Sequence, residues 1–418
     1  MKLTDKEKSM LNGYEGDVAA EAMDYLVQFG EAFDAERLVD IVYCHYPAEM
    51  GIYEGSVEEI VEYSKRGGAV RVLTTSTTLC ADLERPSGTG IPEELARLQA
   101  QVEEAHRRMR ILETYTCTPQ QIGFAPPFGS YIASAESSAI VYFNSVLGAR
   151  TNRGGLFTRY SAITGKYPLM GYLLDENRAG THHFKVNIPE ERLTTCDAWS
   201  ALGYHIGGIV GGEVPVIEGV RPQRQDFIIS LGAALATSGS VTLYHIPGVT
   251  PEARTTEEAF RGGVPKETYE VTPGDLDAVY EKINTIRPGE KIDFVTLGCP
   301  HYNLEQMRYV AEKLRGKKIA DGVRFWICTN RVTRRQAEHS GYLKAIEDAG
   351  ALVVADTCPV ESHMREATCR EYGLKTPNVE AMVTDSTKMA RYVRDLIGCR
   401  TALADADGCI DAALTGKR

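Results

Sequence analysis

A chain of 418 residues, 43% of them hydrophobic, can bury a large core and is long enough for two or three α/β units. Its 57 acidic against 46 basic residues, with no lysine- or arginine-rich run, exclude the basic footprint that a nucleic-acid partner needs. The polar start, Met1 to Glu7, has no apolar signal core behind it, so the cytosol is the expected compartment, where ten cysteines are thiols or metal ligands rather than disulfides.

The elements begin with a capped helix near Thr4 to Leu11 and a longer one from about Gly16 to Phe29. A strand is expected at Leu38 to Tyr43, a helix at Val57 to Arg66 and a strand at Val70 to Thr74. Both strands run into polar residues, Cys44-His45 and Thr75-Ser76-Thr77-Thr78, and strand ends of this kind gather the ligand crevice in open α/β sheets. Pro92 starts an amphipathic helix in which Leu95, Leu98, Val102, Met109 and Leu112 form a core-packing stripe.

The middle of the chain, from about Gly123 to Thr272, is rich in glycine and short polar turns. Glu136 and Ser137 open an apolar helix that runs to Leu147, and Glu136 reads either as an acid–base group or as an ordinary cap. In Arg150-Thr151-Asn152-Arg153-Gly154-Gly155, two guanidinium forks beside paired glycines suit an anionic ligand, or else form a solvated turn. Phe227 to Ile246 is apolar but interrupted by serine, threonine and glycine, which predicts a tightly packed helix and strand rather than a membrane span.

From Lys291 the pattern becomes regular: strand, helix Asn303 to Leu314, strand at Val323 to Ile327, helix Arg331 to Ala349, strand at Leu352 to Ala355. Asn303 is an N-cap, and Gly316 and Gly350 fit helix C-terminal positions, which makes a doubly wound βαβαβ unit. A linker around Val271-Thr272-Pro273-Gly274 and Arg287-Pro288-Gly289 marks the start of this unit, and the expected units are 1–125, 126–285 and 286–418.

Three cysteines sit at abrupt stops: Cys117 in Thr116-Cys117-Thr118-Pro119, Cys299 in Gly298-Cys299-Pro300-His301, and Cys358 in Thr357-Cys358-Pro359. The last two follow the continuous apolar runs Phe294 to Leu297 and Leu352 to Ala355, which read as buried parallel strands, so both lie at carboxyl ends. Three thiols would hold a cubane iron–sulfur cluster by three irons and leave the fourth as a Lewis acid toward a substrate hydroxyl, which is dehydratase chemistry. Cys328 ends another strand and competes for the same role, and a free cysteine also serves as a small buried hydrophobe. No Cys-x-x-Cys pair occurs, which argues against a zinc ribbon or a thioredoxin-like motif.

Several longer strings resemble the large catalytic subunit of the aconitase X family. They are Asn144-Ser145-Val146-Leu147-Gly148-Ala149-Arg150-Thr151-Asn152-Arg153, Ala162 to Gly165, Leu174 to Arg178, His245 to Ala253, Leu297 to His301, and Ala355 to Cys358. The resemblance runs from about Leu3 to Val393. It implies an α/β aconitase-like catalytic subunit and a hydro-lyase acting on mevalonate 5-phosphate, cis-3-hydroxy-L-proline or a related hydroxy acid. It also implies cluster ligands at Cys117, Cys299 and Cys358, with 4Fe-4S favoured over 3Fe-4S or 2Fe-2S. Substrate contacts are implied at Gly51, Ile52, Tyr53, Glu136 and Ser137, and Lys388 near the C-terminus is implied to take part. The family's small swivel domain is absent from the chain as read, so a separate small subunit is the expected partner.

The departures from the family pattern fall on the substrate side. Cys44 to Met50 replaces an Ala-His-x-Asp-Gly stretch, and the loop Thr74-Thr75-Ser76-Thr77-Thr78 stands where mevalonate-phosphate enzymes carry an Asn-Pro pair; Thr77 and Thr78 are expected at the substrate. Glu136, Ser137, Lys388 and His301 are the expected catalytic residues, and Arg150 is expected, with Lys388, to pair with a substrate carboxylate or phosphate. A nucleotide-binding module is the rival class, but no Gly-x-Gly-x-x-Gly or Gly-x-x-x-x-Gly-Lys-Ser/Thr loop is present. A non-catalytic, anion-binding or regulatory paralogue is the other alternative, supported by the altered substrate turns.

Overall fold

The computed structural model describes residues 1–48, 54–364, 369–370 and 379–418. The first part of the chain holds β1 (Leu38–Asp40), β2 (Tyr43–Tyr46), β3 (Leu73–Ser76), β4 (Ile132–Ser134) and β5 (Lys166–Pro168). β2 is the centre of a parallel sheet in the order β3-β2-β4, while β1 pairs with β5 antiparallel. The single strand expected at Leu38 to Tyr43 is therefore two strands of different sheets. The chain breaks between them because the Ile41 amide bonds Gly165 and the Val42 amide bonds Tyr131. The helix Glu93–Met109 buries Leu95, Leu98, Val102 and Met109 against this sheet, whereas Leu112 lies beyond its end and is exposed.

The second part contains β6 (His182–Val186), β7 (Pro215–Glu218) and β8 (Glu267–Val271), a parallel sheet in the order β7-β6-β8. Helices Cys196–Val210 and Gln225–Gly239 pack with their backbones in contact, since a Cβ on Gly239 would strike the Gly207 carbonyl. This is the close packing expected of the small residues between Phe227 and Ile246. The segment after the helix makes one bridge, Val216 to His245, rather than a strand. Among the described residues no helix is long and apolar enough to cross a membrane.

The third part is a five-stranded parallel sheet of β9 (Phe294–Leu297), β10 (Arg324–Thr329), β11 (Leu352–Ala355), β12 (Ala381–Thr384) and β13 (Arg400–Leu403). Its order is β11-β10-β9-β12-β13. Side chains alternate between two cores: Val295, Phe325 and Ile327 pack on one face, Phe294, Trp326 and Cys328 on the other. Helices cover both faces, which is why the strands are continuous apolar runs. The helix expected over Arg331 to Ala349 is two, Arg331–His339 and Tyr342–Asp348, broken where Gly341 takes a φ of 77°.

Strand order reverses at β9, between β10 and β12, and the carboxyl ends on either side of such a switch point frame a crevice. Cys299 follows β9, and Lys388 opens the helix Thr387–Leu396 after β12. Cys358 follows β11. The fold thus delivers three of the expected site residues to one sheet edge.

Candidate active site

That edge faces the first part of the chain across a cavity of about 450 Å³. Cys117, Cys299 and Cys358 all line it, together with Glu136, Ser137 and Lys388. His301, Thr77 and Thr78 complete the expected residues on its wall. Gly51, Ile52 and Tyr53 lie outside the described residues.

The three thiols are brought together by contacts between their loops. The His301 amide donates to Cys117 Sγ at 3.2 Å, which ties the loop after β9 to the first part of the chain. The His301 ring is 1% exposed; its Nε2 faces the Thr357 carbonyl at 3.3 Å and its Nδ1 the Thr116 hydroxyl at 3.3 Å. A carbonyl only accepts, so Nε2 carries the proton and Nδ1 receives one from Thr116. Burial lowers the imidazole pKa to about 4, so the ring is a neutral strut between the Cys117 and Cys358 loops. The Leu79 amide bonds the Asp356 carbonyl at 2.8 Å, and Asp356 takes two bonds from Arg331, at 2.8 and 2.7 Å, so the turn before Cys358 is also clamped.

Gly298 adopts a φ of 95°, and a Cβ there would be driven into the Cys328 carbonyl oxygen. Only glycine lets the chain turn Cys299 out of β9 toward the cavity. Cys328 itself is fully buried in the core on one face of the sheet and does not line the cavity, so the rival thiol is a packing residue.

Opposite the thiols, Glu136 caps the helix Ser137–Ser145: its Oε2 accepts the amides of Ser138 and, at 3.1 Å, Ala139. Its Oε1 receives Lys388 Nζ at 2.8 Å, so Glu136 is at once a cap and half of a buried ion pair. Lys388 also donates to Ser137 Oγ at 3.1 Å and Ser138 Oγ at 2.9 Å. Burial pushes the Glu136 carboxyl up, but the Lys388 ammonium and the helix amides outweigh it and hold the group below the ordinary value. Burial alone would lower the Lys388 pKa, yet Glu136 and the nearby thiols raise it. The carboxylate is therefore ionised and the lysine protonated at neutral pH.

The thiols behave in the opposite way. Burial raises all three, Cys299 to about 11, while the charge of Lys388 opposes the rise at Cys299 and Cys117. Free, they are neutral; as ligands they would need a cationic centre to hold them as thiolates. Among the described residues no three His, Cys, Asp or Glu side chains close around a point as a single ion requires. Three free thiols on one cavity wall are the ligand type that a group of several metal atoms takes, one sulfur to each atom.

Arg150 is not part of this wall. Its guanidinium bonds Asp175 Oδ1 at 2.6 Å and the Leu173 carbonyl at 3.3 Å, in a separate surface depression. Arg150 and Arg153 both bridge to the β4 segment, at Tyr131 and Ser134, and residues three apart on an extended chain point to opposite sides. Arg153 is the arginine that lines the cavity. Tyr392 and Leu396 also line it, four and eight residues after Lys388 on one helix face, and that spacing is the available sequence signal.

Models of one protein family match the chain in three consecutive segments. Residues 1–176 match the aconitase X first domain, 180–281 the aconitase X second domain and 292–415 the aconitase X third domain. A phosphomevalonate dehydratase large subunit from Methanothermobacter thermautotrophicus is 37% identical over 94% of this chain and 94% of its own length. A cis-3-hydroxy-L-proline dehydratase from Pseudomonas aeruginosa is 34% identical over 98% of this chain and 70% of its own. The crystal structure of Thermococcus kodakaraensis aconitase X in its holo-form superposes with a TM-score of 0.85 at 32% identity, covering 99% of this chain and 100% of that one.

Proposed function

The chain belongs to the aconitase X family, and from that premise we propose that it eliminates water from a small hydroxylated acid, with an iron–sulfur cluster held by Cys117, Cys299 and Cys358. Its relatives are dehydratases, which makes this chain a hydro-lyase in the same class. The substrates to test are those in the relatives' names, mevalonate 5-phosphate and cis-3-hydroxy-L-proline. A small subunit is the proposed partner, since relatives named large subunits match this chain end to end.

One observation carries the reading: three thiols from distant loops meet the Glu136–Lys388–Ser137 network across a single cavity. Cys117, Cys299 and Cys358 would hold the cluster, which would supply Lewis acidity toward the leaving hydroxyl, and three protein ligands favour 4Fe-4S. The rest falls to this chain's residues. Lys388, held protonated, and the Ser137 hydroxyl bind the substrate carboxylate. Glu136, held ionised, is a base rather than an acid, and takes the proton from the carbon next to the one losing hydroxide. A substrate carboxylate that draws Lys388 toward itself weakens the interaction that depresses Glu136, so its basicity rises when substrate arrives.

The test is anaerobic co-expression with the small subunit, iron and sulfide analysis, and assay of both substrates. Bound iron and sulfide with loss of water from one substrate is the expected result. A protein that carries no iron under those conditions, or carries a cluster and dehydrates neither compound, overturns the proposal in its first or second half.

A further inference from the structure

We propose that Arg153 is an anion receptor at the mouth of this cavity, and that the true substrate carries a second negative group remote from the carbon that loses water. The dehydratase reading supplies only the identity of the reacting end; the receptor stands on the geometry below.

Two basic side chains line the cavity among the described residues, Lys388 and Arg153. Lys388 is paired with Glu136, Ser137 and Ser138 and is assigned to the carboxylate at the reacting end. Arg153 is exposed and has no hydrogen-bond or ion-pair partner among the described residues. Its neighbours in sequence differ: Arg150 pairs with Asp175, Arg159 with Glu59 and Arg178 with Glu252. Arg153 is thus a five-donor fork left open on the wall of a functional cavity.

The backbone that carries it is fixed. Arg153 bridges to Ser134, and the next amide, Gly154, donates to the Ser134 carbonyl at 3.2 Å, two residues before Glu136. A Cβ on Gly154 would collide with the Thr158 hydroxyl, so glycine is needed for this close approach. Arg153 also lines the neighbouring outer depression, beside Phe29, Leu156 and Phe157. The guanidinium therefore stands where the cavity meets the outside, on a fixed root.

A ligand whose carboxylate sits at Ser137 and Lys388 would present its far end to Arg153. A zwitterionic amino acid has no second anion to offer, and its ammonium would be repelled there. Glu361, which could attract an ammonium from the same wall, is already engaged. The fork fits a phosphate monoester or a second carboxylate, because both present paired oxygens to two parallel N–H groups.

The test measures binding by calorimetry to the protein purified anaerobically with its metal, for wild type, Arg153→Ala and Arg153→Lys. The probes are mevalonate 5-phosphate, 3-hydroxy-3-methylglutarate, mevalonate and cis-3-hydroxy-L-proline. Wild type is expected to bind one of the doubly anionic probes best, and Arg153→Ala to weaken that probe about 10- to 100-fold while leaving mevalonate unchanged. Arg153→Lys should restore part of the loss, and the dianion that suffers more identifies phosphate or carboxylate. Equal loss for all probes, no loss, or a wild type that prefers neither dianion overturns the proposal. Arg153-dependent binding without dehydration would sink the dehydratase reading alone, whereas dehydration insensitive to Arg153 would sink the receptor alone.

Discussion

Lys388 and Glu136 form the sharpest residue-scale test, because their side chains are only 11% and 13% exposed and each is the other's counter-ion. Lys388→Met leaves a buried carboxylate with amide partners but no cation, which should lower stability by about 3–5 kcal/mol in urea unfolding. The double variant Lys388→Met/Glu136→Gln should recover part of that loss. The pH dependence has a definite sign. The Glu136 pKa is depressed, so its contribution is present above the ordinary carboxylate value and lost as pH falls through the folded one. The Lys388 pKa is raised, so its contribution is present below the ordinary lysine value and lost as pH rises through the folded one. The wild-type pair is thus flat in its effect from mildly acidic to mildly basic pH. In Lys388→Met, burial still pushes the Glu136 pKa up and only the helix amides, with no cation, oppose it, so the penalty should shrink as the medium is made acidic; a penalty independent of pH would refute the ion-pair account. Among the thiols, Cys117→Ser, Cys299→Ser and Cys358→Ser should each lower iron per chain, while Cys328→Ala, which alters only the core, should keep it. This distinction was open in the sequence, since Cys328 and Cys299 both end strands. Side-chain alternation along β10, which sends Cys328 into the core, decides it.

At the scale of elements, patterns set by local chemistry were readable and patterns set by distant neighbours were not. Thr4 and Asn303 cap their helices as expected, and the continuous runs of β9 and β11 are buried parallel strands. β12 and β13 are no shorter than β9 and β11, but they lie outside the strand–helix alternation that the sequence shows from Lys291 to Ala355 and are defined by pairing to β9 and to each other. Without β12 the switch point could not be seen, and Lys388 rested on resemblance alone rather than on a strand end. Arg150 and Arg153 are equivalent in the sequence for a similar reason: which of the two faces inward depends on pairing with β4. Gly298 is the element-scale prediction. Its φ of 95° and the absence of room for a Cβ mean that Gly298→Ala must displace either β10 or the turn into Cys299. The expected loss is about 2 kcal/mol or more in urea unfolding. Iron retention should fall with it even though every thiol remains, and an alanine variant that holds iron as tightly as wild type would show that the turn does not set the position of Cys299.

At the scale of the whole molecule, the cavity exists because the first and third parts of the chain are locked together, and the lock lies outside the ligand set. Asp82, 1% exposed, pairs with Arg334, itself 2% exposed, and its Oδ2 also accepts the Ala355 amide at the end of β11 at 3.0 Å. Arg331 adds Glu103 at 3.3 Å and Glu113 at 3.1 Å from the first part. Removing Asp82 leaves Arg334 with Glu84 alone and orphans a buried amide, so Asp82→Ala should cost about 3–5 kcal/mol. Because Cys117 belongs to one side of this lock and Cys299 and Cys358 to the other, the variant should also shed iron while keeping all ten thiols. The junction of the second and third parts offers the contrast. There the Ser200 hydroxyl lies 2.7 Å from Thr387 Oγ1 and accepts the Thr387 amide at 3.0 Å, one residue before Lys388. Ser200→Ala should cost about 1 kcal/mol, leave iron content unchanged and lower turnover by loosening the root of Lys388. Iron analysis and turnover on the same two variants separate the roles: loss of iron in both, or in neither, would mean that the thiols are not gathered by the junction between the first and third parts.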